Sequence, residues 1–417
     1  MKNDVILITT YYPFGETSEA FITPELHAVD YDAWNMKVIA GYQAEPADVK
    51  QDCPPSVRIG FIGQKGFSVP YKIFLALRIA AGREFYRELR MLKRRGKLNM
   101  QNLGKLASFS ADALDKYRSL IAILKRDGYI PKRGERRLVL YAYWMDATAC
   151  ALAMLSEKYG FPSVCRVHGA DLYEERNEGY LPMRGYIIRH MSGIFPISNA
   201  GRTYLTERYG HGDKIRCSYI GSRNASGPRK VSGRSPFRIV SCAYVIPLKR
   251  IGMIAEAVCG IEDAEVEWVH FGGGPGLAEL ERIVGSAKPN VKCRLMGNVS
   301  SGELMEYYAH NDVHLFINFS TTEGIPQSIK EAMSFGIPAI ATDVGGNSEI
   351  VRDGVNGRLL DVDTTVEELR GSVMRFIGME DTEYLRFREE AYGEWDRHFN
   401  TRKTTAGFYE EIGRLLK

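Results

Sequence analysis

Two periods alternate along this chain. Short, unbroken apolar runs at 5–9, 36–40, 138–142, 164–167, 194–197 and 217–220 are separated by longer stretches with helical spacing. Runs of that length read as strands buried on both faces, and their alternation with helices predicts a doubly wound α/β domain on a parallel sheet. After residues 222–236, SRNASGPRKVSGRSP, which lack apolar periodicity and read as a linker, the pattern starts again at 239–242, 266–271, 291–295, 313–317, 339–341 and 358–360. The expected organisation is a first domain over 1–222, a linker at 223–236, a second domain over 237–390 and a closing segment at 391–417. In that last segment Trp395, Phe399 and Phe408 recur as on one amphipathic helix. Ligands of such sheets gather at the C-terminal ends of the strands, so the loops after these runs are where chemistry is sought.

The densest loop information lies between 320 and 351, STTEGIPQSIKEAMSFGIPAIATDVGGNSEIV. Pro326 suits a first helical position and Gly336 the left-handed residue after a helix, which predicts a helix over 327–335. Pro338 cannot continue it, and 339–341 reads as a buried strand. Asp343-Val344-Gly345-Gly346 then turns into Asn347, an N-cap residue type. Two helix N-termini opening from glycine turns offer free N–H groups suited to an anion such as a diphosphate. Glu323 and Glu331 bracket the first helix. Eight helical residues rise about 12 Å, more than the roughly 5–9.5 Å between the carboxyl groups of a glycoside hydrolase. Each carboxylate is therefore read as holding its own pair of hydroxyls, with a solvated helix residue as the other reading of Glu331.

This run resembles the signature of glycosyltransferase family 4, retaining enzymes of the GT-B fold, including its E-x7-E pair at Glu323 and Glu331. The resemblance implies two doubly wound, Rossmann-like domains facing across a cleft, with the acceptor on the N-terminal half and a nucleotide-sugar donor on the C-terminal half. It also implies Glu323 beside the donor sugar, Glu331 at the ribose, and the backbone of Gly324, Ile325 and Pro326 against the diphosphate. The run His168-Gly169-Ala170-Asp171-Leu172-Tyr173, with Tyr180 to Arg184 and Ile197-Ser198, resembles an exopolysaccharide, colanic-acid-type branch of that family. A histidine leaving a buried strand into a glycine turn is placed to touch a ligand, or else is structural. The resemblance favours the first and puts His168 near the transferred sugar, with Glu19, Asp171 and Arg184 on the acceptor side. The closing segment would be a helix that crosses back onto the first domain.

Further candidates come from the other loops. Gly15, in the loop after the first run, either lets backbone approach a phosphate or forms a plain surface turn. Lys249, after the first strand of the second half, is placed to neutralise a diphosphate leaving group. The family often has an arginine six positions earlier, where this chain has Ala243; Arg250 either replaces that cation or faces solvent. Gly272-Gly273-Gly274 is a weak dinucleotide fingerprint, since the third glycine position is Leu277, but by the resemblance Gly273 and Gly274 lie against the donor. Asn298 and Val299 resemble the loop that reads the base with main-chain groups. A UDP-sugar is favoured over a GDP-sugar, no cofactor is expected beyond that co-substrate, and Asp361-Val362-Asp363 is rejected as a metal site.

Composition narrows the setting. With 45% hydrophobic and 25% charged residues the 417-residue chain is an ordinary globular protein. The apolar stretch at 73–81 is too short to span a bilayer, and no secretory leader is read at the start. Seven cysteines without a Cys-x-x-Cys pair argue for a reducing cytoplasm and against zinc. The net charge is +4, yet residues 83–137 carry sixteen Lys/Arg against six Asp/Glu, which is +10 there and −6 elsewhere. Interleaved with Phe85, Tyr86, Leu89, Met91 and Leu92, that segment suits either an anionic lipid surface or the solvated face of long helices. No nucleic-acid motif accompanies it. The expected protein is a cytoplasmic, metal-independent hexosyltransferase, peripheral on the inner face of the plasma membrane, with a saccharide or lipid-linked saccharide acceptor. The rivals are a sugar-nucleotide epimerase on the same fold and a non-catalytic binding subunit of a polysaccharide assembly complex.

Overall fold

A computed structural model describes residues 2–15, 19–43, 49–63, 71, 78, 82–131, 137–224 and 226–416. The chain divides into two compact units, Met1–Tyr219 with Thr405–Lys417, and Ile220–Thr404. In unit 1, strands β1 (Asn3–Thr9), β2 (Trp34–Gln43), β3 (Arg58–Gly63), β4 (Leu138–Ala142), β5 (Ser163–Val167) and β6 (Gly193–Pro196) form one sheet in the order β3-β2-β1-β4-β5-β6. In unit 2, β7 (Phe237–Cys242), β8 (Val266–Phe271), β9 (Val291–Leu295), β10 (Leu315–Asn318), β11 (Ala339–Thr342) and β12 (Gly357–Leu360) order as β12-β11-β10-β7-β8-β9. All neighbours pair in parallel. Counted from its own first strand, each sheet runs 3-2-1-4-5-6, the dinucleotide-fold order. The α/β class and the two doubly wound halves are as expected. Strands β4, β5, β8 and β10 are buried at every position, and the polar residues they carry, among them Arg166 in β5 and Glu267 and His270 in β8, are buried with them.

The departures have local causes. Residues 217–220 are not a strand: the chain makes single edge bonds beside β6, Arg216 N–H to Ile194 O and Ser218 N–H to Pro196 O, and then leaves the unit. Strand β3 shows no apolar run because it is an edge strand with Arg58, Ile59 and Phe61 exposed. The helix after Pro326 spans only Gln327–Met333 and Pro326 is its N-cap, while Gly336 is left-handed as its position requires, φ +71°. Asn347 is not an N-cap. It is the first residue of a single 3₁₀ turn, Asn347–Glu349, and its buried amide donates to Thr342 O at 2.8 Å.

The closing segment is not one helix. Asp381–Glu394 runs into a π-helical turn, Trp395–Phe399, Asn400 is extended, and Thr401–Arg414 begins anew. Trp395 donates to Ser222 Oγ within unit 2, whereas Phe408 packs in unit 1 with its ring 4.2 Å from the guanidinium of Arg166. Arg166 is itself buried against Glu25 (3.2 Å) and the Tyr141 hydroxyl (2.7 Å). The Ser/Gly/Arg-rich stretch at 222–236 is fastened to unit 2 through Asn224 on Ser334 O (2.6 Å) and Arg229 on Asp312 (3.0 Å). The basic segment forms helices Arg83–Arg94 and Met100–Arg126; its residues 132–136 lie outside the described residues, as does the stretch 73–81 apart from Arg78. Among the described residues no helix is long and apolar enough to cross a membrane.

Candidate functional site

In unit 2 the loops after the parallel strands collect at one edge. A 3₁₀ turn, Pro247–Lys249, follows β7 and aims Lys249 at the loop after β10. Its Nζ lies 2.5 Å from Glu323 Oε1, and the same oxygen accepts from Ser320 Oγ at 2.7 Å and Asn318 Nδ2 at 3.2 Å. The Thr321 N–H bonds Leu248 O, so the two loops are also joined through backbone. Behind them Thr342 Oγ1 donates to Ser320 O (2.5 Å), and Asn347 supports Thr342. Gly345 and Gly346 seat the loop after β11 against this one. A Cβ at Gly345, φ +58°, would fall 2.0 Å from Glu323 O, and the Gly346 N–H donates to Gly324 O at 2.7 Å. One carboxylate thus gathers an ammonium, a hydroxyl and an amide. The ammonium keeps further protons to offer an incoming anion.

Glu331 is buried at 7% exposure, which excludes the solvated reading. Ser301 Oγ donates to it at 2.8 Å, and burial pushes its carboxyl pKa up. Arg250 is half-buried rather than turned to solvent. Its Nε donates to Phe319 O (2.7 Å) and its Nη1 to Val362 O (2.6 Å), it lies over the Phe319 ring, and burial pulls its pKa down. It braces two loops. The glycines after β8 permit close backbone packing: a Cβ at Gly272, φ +138°, would sit 1.9 Å from Ala243 O. Gly272 N–H bonds Gly297 O, Gly273 N–H bonds Asn298 Oδ1 at 2.7 Å, and Gly274 abuts Val245. Asn298 therefore anchors its own loop, with half-buried Val299 beside it. Ile325 is half-buried and contacts the Gly346 position.

In unit 1 the candidates converge on the loop after β4, which sequence reasoning passed over. Glu19 is not a free acceptor-side ligand. Its carboxylate accepts the N–H groups of Thr10, Tyr11 and Tyr12 (2.8–2.9 Å at the closest) and Trp144 Nε1–H at 2.6 Å. Gly15 makes a turn, its N–H on Tyr11 O and its carbonyl on Gln51, so its backbone is not open to a phosphate; residues 16–18 lie outside the described residues. His168 is buried among rings, with centroids 4.2 Å from Trp144, 5.1 Å from Tyr143 and 5.8 Å from Phe21. Asp171 caps its turn, accepting from the His168 and Met145 N–H groups at 2.6 Å each, and burial pushes it up to about 6. Arg184 donates to Asp171 O. Tyr143-Trp144-Met145 directly follow a predicted strand, so the rule that ligands gather after strands would have found them.

Residues 229–394 match the family of glycosyl transferases group 1. The GtfA subunit of a Streptococcus agalactiae UDP-N-acetylglucosamine–peptide N-acetylglucosaminyltransferase is 27% identical over 150 residues, 35% of this chain and 28% of that protein. The amylovoran biosynthesis glycosyltransferase AmsK of Erwinia amylovora is 25% identical over 206 residues, 46% of this chain and 49% of that one. The chain thus spans less than half the length of these relatives. In fold it is similar to Anabaena Alr3699/HepE, solved in complex with UDP, with a TM-score of 0.62 at 17% identity over 99% of this chain and 100% of that one. The glutamate pair, Lys249 and the glycine-packed loops all lie in the matched stretch, and the two six-stranded halves have the architecture of GT-B neighbours. Residues 229–394, wholly within unit 2, are a glycosyl transferases group 1 domain.

Proposed function

We propose that the chain is a retaining, metal-independent glycosyltransferase that moves a hexose from a nucleotide-sugar to a saccharide acceptor in exopolysaccharide or cell-surface glycan synthesis. The observation that carries this reading is the Lys249–Glu323 pair, partly exposed at the same sheet edge as buried Glu331. In the proposed reaction Lys249 neutralises the departing diphosphate, Glu323 orients Lys249 and the donor sugar, and Glu331 holds the ribose hydroxyls. A positioned cation at a leaving group stabilises charge that develops only in the transition state. No carboxylate is assigned as covalent nucleophile, so retention follows from same-face attack through an ion-pair-like transition state. UDP is preferred because the similar HepE chain was solved with it. The lipid-linked acceptor and peripheral membrane placement rest on helix Arg83–Arg94, whose Arg83, Arg87, Arg90, Lys93 and Arg94 are exposed beside Tyr86.

The test is a thermal-shift panel of UDP, GDP, ADP, CMP and their sugars, with and without chelator. UDP at a hundred times its Kd is expected to add about 2.7 kcal/mol. The shift should survive chelator and weaken at least tenfold in affinity in Glu331→Ala. A response to GDP alone would retire the UDP preference, and loss of the shift in chelator the metal independence. A non-catalytic donor-binding subunit is the second reading, favoured by Ala243 and by Arg250 being spent on carbonyls. It predicts UDP binding without release of UDP from any sugar conjugate in the presence of acceptor.

A further inference from the structure

Unit 1 contains a cavity of about 310 Å³ under the first turn of helix Arg83–Arg94. Phe85, Ala113, Leu114, Met154 and Met183 line it, and Arg83 stands at its rim. Arg83 is exposed and makes no ion pair or hydrogen bond with the described residues. The carboxylates at the cavity are already engaged: Glu84 by Arg87 (2.8 Å) and Arg189 (2.7 Å), Glu157 by the Tyr186 hydroxyl (2.7 Å). Glu84 is neutralised by its two arginines, Glu157 keeps its charge beside the neutral hydroxyl, and Arg83 at the mouth is paired with neither. From that mouth a continuous basic face runs along the helix, since Arg83, Arg87, Arg90 and Arg94 recur at three- and four-residue spacing. The lining is mixed, with Ser110 and Tyr186 beside the apolar residues, and apolar wall atoms that lack partners forfeit dispersion contacts an apolar ligand restores.

We infer that this cavity seats the hydrocarbon chain of a phosphate-headed lipid, the carrier of the saccharide acceptor, with the phosphate at Arg83. The inference rests on the lipid-linked acceptor proposed above. The volume holds roughly ten methylene-sized groups, at about 30 Å³ each. Charge complementarity at Arg83 selects an anionic head, and the volume limits the tail to a single chain.

The experiment is a calorimetric titration of the full chain with alkyl phosphates of six to fourteen carbons, each below its micelle concentration. Affinity is expected to rise about fourfold per added methylene and to level off near ten carbons. Met154→Trp, which fills the cavity, should flatten the rise, with Leu114→Phe as a second filling variant should the first lower the melting temperature. Arg83→Glu should weaken every chain length about tenfold while leaving the rise intact. No binding of any alkyl phosphate overturns the inference. So does a rise that continues to fourteen carbons and is the same in the filled variants, which is partition onto the outer face. UDP raising the melting temperature while alkyl phosphates fail to bind overturns the cavity and leaves the donor reading standing; the converse retires the donor reading and leaves the cavity.

Discussion

The two units share one strand order and differ in what closes their loops. At the C-terminal edge of unit 2, glycine contacts draw the backbones together and leave Lys249 and Glu323 partly exposed. At the same edge of unit 1, the first loop is filled by the chain itself, since Glu19 occupies three consecutive N–H groups and the neighbouring space holds Trp144, Tyr143 and His168. Topology sets where a ligand can bind; the loop side chains decide whether an anion or a ring-faced substrate is accommodated. Both units bury charge: unit 2 holds Glu267, Glu331 and Arg388 beside the histidines His270 and His314, and unit 1 holds the Arg166–Glu25 pair.

The largest effect that separates the two edges is catalytic. Lys249→Ala should lower kcat/KM for UDP-sugar turnover by about 10³-fold, as loss of a charge-stabilising donor does, with little change in melting temperature. An unchanged rate would place the chemistry outside unit 2. Next is stability in unit 1. Glu25→Ala leaves the Arg166 guanidinium buried without its carboxylate and should cost about 3–5 kcal/mol, read as lost amide-exchange protection in β1, β4 and β5, while UDP affinity is retained.

The smallest and most diagnostic effect is acid. Burial holds His270 and His314 down to about 4 from an ordinary 6.5, so the unfolded chain binds more protons below pH 6.5. Stability from each is present above pH 6.5 and lost as pH falls toward 4, about 2 kcal/mol between pH 7 and 5. Asp171 has the opposite sign. Its folded value of about 6 lies above the unfolded 3.8, so it contributes stability that is full below pH 3.8 and gone above 6. Acidification from pH 7 to 5 should loosen unit 2 and tighten the Asp171 turn by about 1 kcal/mol, measured by amide exchange across the two sheets. Parallel loosening of both would show that these groups do not set the response.

How legible each part was follows from its periodicity. Strands β4, β8 and β9 match the predicted runs residue for residue: β4 is apolar throughout, and β8 and β9 keep enough apolar residues around Glu267, His270, Lys292 and Arg294 for the runs to be read. Strand β3 was not legible because Arg58 opens it and Gly60 and Gly63 interrupt Ile59, Phe61 and Ile62. In the site, Glu323 and Glu331 were legible from a dense local motif, and Asn318 and Ser320 lie close before Glu323, but Ser301, the donor to Glu331, comes from another loop, and nothing in local spacing announces a partner 30 residues away. Arg250 shows the same limit, since the carbonyls of Phe319 and Val362 that take its Nε and Nη1 lie 69 and 112 residues away.

By itself the sequence determined most of the buried strands, their parallel pairing and the edge where the chemistry gathers, since these follow from apolar period, glycine and proline punctuation and the handedness of crossover connections. Only the tertiary structure decided which charged groups are available. Glu19, Asp171 and Arg250 are spent on backbone groups, and Lys249 is held by Glu323. A buried or half-buried charge must find partners, and those partners are supplied by whichever loops the fold brings beside it.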